Sequence, residues 1–168
     1  MNLLHCMLYL AFLGITCFPF GRLLARCPLN AEKFPFAAFR FEKDGKIYEK
    51  LKIRKWQHRV PDVSRLAGCI VPKKELSGTL NARKLSQMVK ETCVAELTHF
   101  VLCLCGLYIP AIVPGVWGGV LCAIYIVLGN LPFMVIQRYN RPRLKRLLAS
   151  AKKKESGRNN EGSDPQLQ

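Results

Sequence analysis

From Leu97 to Ile136 the chain has no Lys, Arg, Asp or Glu, and His99 is the one ionisable side chain there apart from Cys and Tyr. Forty such residues fit two bilayer crossings at roughly 20 residues per hydrocarbon core. Pro114-Gly115, near the middle, supplies a turn, because Pro lacks a helical donor and Gly accepts unusual backbone angles. The run from Met1 to Phe20 is also uncharged and long enough for a third crossing. It lacks the Lys or Arg and the small-residue cleavage site of a signal peptide, so it is expected to be an uncleaved anchor. The expected fold is all-α: a small integral membrane protein with about three transmembrane helices and a basic cytoplasmic loop carrying an amphipathic or interfacial helix.

Charge orients these segments. Seventeen of the 26 Lys and Arg lie between Arg22 and Lys90, and the other nine from Arg138 to Arg158. Positively charged loops stay cytoplasmic, so the expectation is a multi-pass cell-membrane protein with its loop and C-terminus cytoplasmic. A net charge of +15 also suits nucleic acid. However, the charge flanks hydrocarbon-length segments and no nucleic-acid fold signature is present, so anionic lipid headgroups are the better match. The eight cysteines show no zinc-knuckle or thioredoxin-like spacing and read as small buried hydrophobes.

The chain divides into an anchor (1–21), a basic loop (22–96), a membrane hairpin (97–136), a polar and basic rim segment (137–151) and a tail (152–168) expected to be disordered. Within the loop, Phe34 to Phe41 suits a short amphipathic or re-entrant piece. Asp44-Gly45 suits a turn, and Ile47 to Trp56 suits the headgroup layer. Asn81 is a candidate N-cap for one long helix. Leu85, Met88, Val89 and Thr92 give its first half an apolar stripe before it enters the membrane.

Polar residues at the mouth of a membrane helix are functional candidates by default, and three clusters arise at the expected rim. The first holds Trp56 and His58. The second holds Glu96 and His99, three apart and therefore on one helix face. The third holds Asn130, Gln137, Arg138, Asn140, Arg141 and Arg143. His58 or His99 is the candidate base, imidazole being the side chain that titrates near pH 7, with Glu96 orienting His99. Asn130 and Gln137 are candidate donors to an oxyanion. The arginines are candidate anchors for a phosphate-bearing donor. There is no Gly-x-Ser-x-Gly elbow, P-loop or His-Glu-x-x-His, and no metal or cofactor is expected.

Phe41-Glu42-Lys43, Gly45-Lys46, Arg54-Lys55-Trp56 and His58 resemble the loop of the glycosyl-diaponeurosporenoate acyltransferases, membrane enzymes that complete staphyloxanthin-type carotenoids. Glu91-Thr92, Ala95-Glu96-Leu97 and His99 resemble a second block of that family. Asn130, Pro132 and the run Gln137 to Leu144 resemble a third. The resemblance covers about Phe41 to Leu148. Phe100, where the family tends to have Trp, and Val60-Pro61-Asp62 depart from it. It implies transfer of a fatty acyl group, from an acyl donor such as acyl-CoA or acyl-carrier protein, to a sugar hydroxyl of a glycosylated carotenoid-like lipid. The other readings of the residues are a non-catalytic module binding anionic lipid or a protein, and a transferase of another group on a lipid.

Overall fold

The computed structural model describes residues 2–45, 47–57 and 81–161. His58 and the segment after it to residue 80 lie outside the described residues. Among the described residues every regular element is helical. They are α1 (Asn2–Leu24), a 3-10 helix (Arg40–Gly45), α2 (Ile47–Lys50), α3 (Ile53–Trp56), α4 (Ala82–Gly106), α5 (Ile109–Ile112), α6 (Val116–Val127) and α7 (Leu131–Glu161). Three stretches are long and apolar enough to cross a membrane: Asn2–Leu24, Ala82–Ile112 and Val116–Gly157. Helices satisfy their backbone groups internally, which hydrocarbon demands.

The helices pair antiparallel. On α1, Cys6 packs in one cluster with Ile109 and Cys122, the Tyr9 hydroxyl donates to the Cys105 carbonyl at 2.9 Å, and Gly21 sits beside Thr98. Residue numbers rise on one helix as they fall on the other. The same holds between α4 and α7, where Ala82 meets Glu155, Thr92 meets Arg141 and His99 meets Asn130. The N-terminus and the α5–α6 turn therefore lie at one end. The described loop residues that follow α1, 25–45 and 47–57, and the C-terminal half of α7 lie at the other. Ile15 and Trp117, 74% and 75% exposed, point outward as lipid-facing side chains do.

Local chemistry explains the breaks. Asn81 caps α4 by accepting the Lys84 amide at 2.9 Å. Gly115, at φ 89°, forms the turn before α6, a backbone region L side chains rarely adopt. A side chain at Gly106 would place its Cβ 2.6 Å from the Tyr125 ring, so the small residue lets α4 approach α6. Pro142 lies inside α7 and has no N–H for the Arg138 carbonyl. Gly45, at φ 87°, ends the 3-10 helix against that step, near the Arg138 and Tyr139 carbonyls and the Pro142 ring.

The expected long helix from Asn81 and the Pro114-Gly115 turn are both present. Of the tail expected to be disordered, residues 162–168 lie outside the described residues, and the described part, 152–161, is helical. Helix α7 continues to Glu161, and the Glu155 carboxylate accepts the Ala82 amide at 2.9 Å. A carboxylate at a helix N-terminus is favourable because it meets unpaired N–H groups and the positive end of the helix dipole.

Candidate active site

Thr92, Glu96 and His99 occupy one face of α4 and meet α7 in antiparallel register. At the rim, four charges close into a buried network. Arg138 donates through Nε to Glu96 at 2.7 Å, through Nη1 to Glu42 at 2.6 Å and through Nη2 to the Pro35 carbonyl at 2.6 Å. Arg141 donates to the other Glu96 oxygen, to the Thr92 hydroxyl at 2.9 Å and carbonyl at 3.1 Å, and to the Phe36 carbonyl at 2.7 Å. The second Glu42 oxygen accepts the Phe39 amide at 2.9 Å, and Tyr48 donates its hydroxyl to Glu42. Burial, together with that bond to a carboxylate, pushes the Tyr48 hydroxyl above its ordinary value. Phe39 covers the Arg138 guanidinium at 4.5 Å and Phe36 faces that of Arg141 at 5.6 Å.

This network corrects two expectations. Glu96 does not pair with His99, because both its oxygens are held by the two arginines. Nor are Arg138 and Arg141 open anchors for a donor. A guanidinium has five N–H bonds, and internal partners take three from Arg138 and four from Arg141. The physical reason is charge balance in a buried place. Glu42 and Arg141 are each 3% exposed, and buried charges persist when paired and fully hydrogen-bonded.

About one to two turns deeper, within the charge-free segment, His99 Nδ1 lies 3.0 Å from Asn130 Oδ1. The Asn130 amide nitrogen donates to the Tyr125 carbonyl at 3.0 Å, which turns its oxygen toward the imidazole. Neutral His99 then carries its proton on Nδ1, and Nε2 keeps the lone pair. Phe133 stacks on the ring at 4.5 Å between centroids. Asn130 is thus a partner for His99 and not the expected oxyanion donor, since its amide is turned to Tyr125. Asn130 is buried immediately before α7, where the break after α6 sets its side chain against α4.

The remaining candidates are spread along α7 and the loop. Gln137 is half-buried, one turn beyond Phe133 on the same helix face, and its amide has no hydrogen-bond partner among the described residues. Asn140 is half-buried and likewise unpaired among them. Arg143 lies over the Tyr139 ring at 3.6 Å and pairs with exposed Glu49 at 2.9 Å. Trp56 packs against a cluster of Tyr48, Ile53 and Tyr139, with its indole N–H on the Leu51 carbonyl at 2.9 Å. It is a packing residue of the loop. Glu42, Thr92 and Tyr48 were not read as site residues from the sequence. One usable signal was scarcity: with 11 acidic against 26 basic residues, an acidic residue inside an apolar stretch such as Phe41-Glu42 has a cation to meet.

A family model described as glycosyl-4,4'-diaponeurosporenoate acyltransferase matches residues 32–150, which contain both the network and the His99–Asn130 pair. The chain is 36% identical over 123 residues to the glycosyl-4,4'-diaponeurosporenoate acyltransferase of Staphylococcus aureus strain Newman, covering 71% of each chain. It is 35% identical, with the same coverage, to the enzyme of that name from strain N315. No solved structure matches. With the match spanning most of the chain and including every paired residue of the rim, this protein belongs to the glycosyl-4,4'-diaponeurosporenoate acyltransferase family.

Proposed function

We propose that this chain is a membrane acyltransferase that esterifies a sugar hydroxyl of a glycosylated carotenoid-type lipid, with His99 as general base. The observation that supports this most directly is the His99–Asn130–Tyr125 relay, which leaves Nε2 as the basic nitrogen. Family membership supports the reaction class and the acceptor class. The step balances as follows. The sugar oxygen bonds to the carbonyl carbon of the acyl donor as its proton passes to His99 Nε2. The bond from that carbon to the carrier then breaks, and the proton returns to the departing carrier. General-base assistance of this kind contributes roughly 10²–10⁴-fold. Gln137, one turn from the ring that stacks on His99, is the amide we assign to the developing oxyanion.

The reaction takes place at the cytoplasmic face of the cell membrane in this reading. The support is the antiparallel three-span arrangement, which puts the described loop residues up to 57 and the C-terminal half of α7 together at one end. The acyl donor is a co-substrate, and no cofactor is required. The rim network is structural: it clamps residues 35–48 onto the hairpin and leaves the acceptor to enter from the bilayer.

The test uses the purified protein in liposomes with a glycolipid extract and a labelled fatty acyl thioester, followed by mass spectrometry of the lipids. A lipid heavier by one acyl residue, reduced at least 100-fold by His99→Gln in protein of wild-type thermal stability, is the expected result. Product formed at the wild-type rate by His99→Gln would refute the assignment of the base.

A further inference from the structure

Three contacts fix the height of the loop against the membrane. Arg138 is the first charge after the uncharged run that ends at Ile136, so α7 leaves hydrocarbon there. The Pro35 carbonyl accepts from Arg138 at 2.6 Å. Phe39 covers the same guanidinium and stacks on Phe41 at 5.4 Å between centroids. Ile53 sits with Tyr139 in the cluster that Val135, Ile136 and Trp56 adjoin, and the Trp56 indole donates to the Leu51 carbonyl. All three contacts meet α7 between residues 135 and 139, within about 6 Å of helical rise. These parts of the loop are therefore held at the boundary between hydrocarbon and headgroups.

At that height the loop sets exposed apolar side chains directly beside exposed cations, in Lys33-Phe34, Arg40-Phe41 and Lys50-Leu51-Lys52. Phe34, Phe41 and Leu51 are 83%, 63% and 56% exposed, an unfavourable state for such side chains in water. Among the described residues, no carboxylate pairs with these four cations. The exposed loop carboxylates Glu32 and Glu49 are already paired with Lys145 and Arg143. An anionic leaflet meets both needs at once: its acyl boundary takes the apolar side chains, and its phosphates take the charge. The surface is also continuous with the lipid-facing sides of the spans below it. We propose that residues 33–52 form an interfacial collar that binds anionic phospholipid on the loop's side of the membrane. Phe34, Phe41 and Leu51 enter the boundary between acyl chains and headgroups, and Lys33, Arg40, Lys50 and Lys52 pair with lipid phosphates. The buried network grips this loop from inside, and the leaflet holds it from outside. The collar does not depend on the reaction the protein catalyses.

The test uses the full chain in nanodiscs of mixed phosphatidylcholine and phosphatidylglycerol. After extraction in mild detergent, the lipids that stay with the protein are counted by mass spectrometry. Wild type retains phosphatidylglycerol in preference, and R40Q/K50Q/K52Q lowers its ratio to phosphatidylcholine about threefold or more. The charge-conserving R40K/K50R/K52R keeps the wild-type ratio, which controls for folding. A second control, K152Q/K153Q/K154Q, removes three cations from the far part of α7. Lys153 stands roughly 22 Å along the helix from Arg138, well beyond a screening length of about 8 Å at physiological salt, so the ratio stays at the wild-type value. Equal losses from the two triple glutamine variants overturn the proposal, because the preference is then a matter of net charge alone. An unchanged ratio in R40Q/K50Q/K52Q overturns it as well. Depth is read separately from F34W/W117F against W117F, in nanodiscs containing phosphatidylcholine brominated near the headgroup end of its chains. The emission that F34W adds falls by about half, as expected of an indole in the interfacial belt. Unquenched emission overturns the proposal, because the side chain then lies in water and the face suits a soluble acidic protein instead.

Discussion

Glu96→Gln is the most informative single change to the rim. The Glu96 side chain is 7% exposed and each of its oxygens accepts from a different arginine. The substitution keeps the shape but turns one acceptor into an amide donor facing a guanidinium. Two cations then face Glu42 alone, and a balanced network acquires one uncompensated positive charge. Two charge-assisted hydrogen bonds at roughly 1.5–3 kcal/mol each give ~3–6 kcal/mol. The loss expected from breaking a buried pair by removing one partner, about 3–5 kcal/mol, agrees with that range. For a chain of this size roughly 2–4 °C of Tm accompanies each kcal/mol, so the midpoint should fall by on the order of 10 °C. The assay is thermal unfolding in detergent micelles by circular dichroism, with E96Q, R141M and E96Q/R141M compared. The double variant leaves Arg138 with Glu42, a balanced pair, so it should be more stable than the sum of the single losses predicts by about 1–3 kcal/mol. A midpoint within about 2 °C of wild type for E96Q, or strictly additive losses, would refute a charge-balanced clamp.

Other expected outcomes follow from single contacts. Asn130→Ala removes the acceptor that holds the His99 proton on Nδ1. Turnover should fall at least about tenfold, and less than in His99→Gln, because the base remains but samples the other tautomer; turnover at the wild-type rate would show that the relay is idle. Glu155→Ala removes the carboxylate from the first turn of α4 and should cost about 1 kcal/mol, read as faster hydrogen exchange confined to the amides near Ala82. Exchange there at the wild-type rate would mean that Glu155 and the end of α7 do not support α4.

Much of the fold was legible because bilayer physics leaves a long uncharged run few alternatives. The three apolar stretches, the Pro114-Gly115 turn and the Asn81 cap all follow from local composition and local backbone chemistry. The sequence put polar candidates at the rim but misread their pairings. Glu96 and His99 do share a helix face, but sharing a face does not make two side chains partners. Each instead reaches across to α7, where Arg138 and Arg141 lie opposite Glu96 and Asn130 lies opposite His99. Gln137 and Asn130, seven residues apart, suggested a joint role. In the structure Asn130 precedes the helix and is committed to His99, which leaves Gln137 apart from it. The tail shows the same limit. Ala, Lys and Glu are good helix formers, but the contact of Glu155 exists only because the N-terminus of α4 lies within reach.

By itself, the sequence determined that this chain is a helical membrane protein with its basic residues at one end and a cluster of polar side chains at the rim. The cost of placing charge in hydrocarbon dictates that much residue by residue. Only the tertiary structure decided which of those side chains neutralise one another and which meet other partners. Pairing depends on the antiparallel register of α4 and α7 and on a loop folded over them from 35 to 48. Those contacts join residues about 30 to 105 positions apart, and no local pattern encodes them.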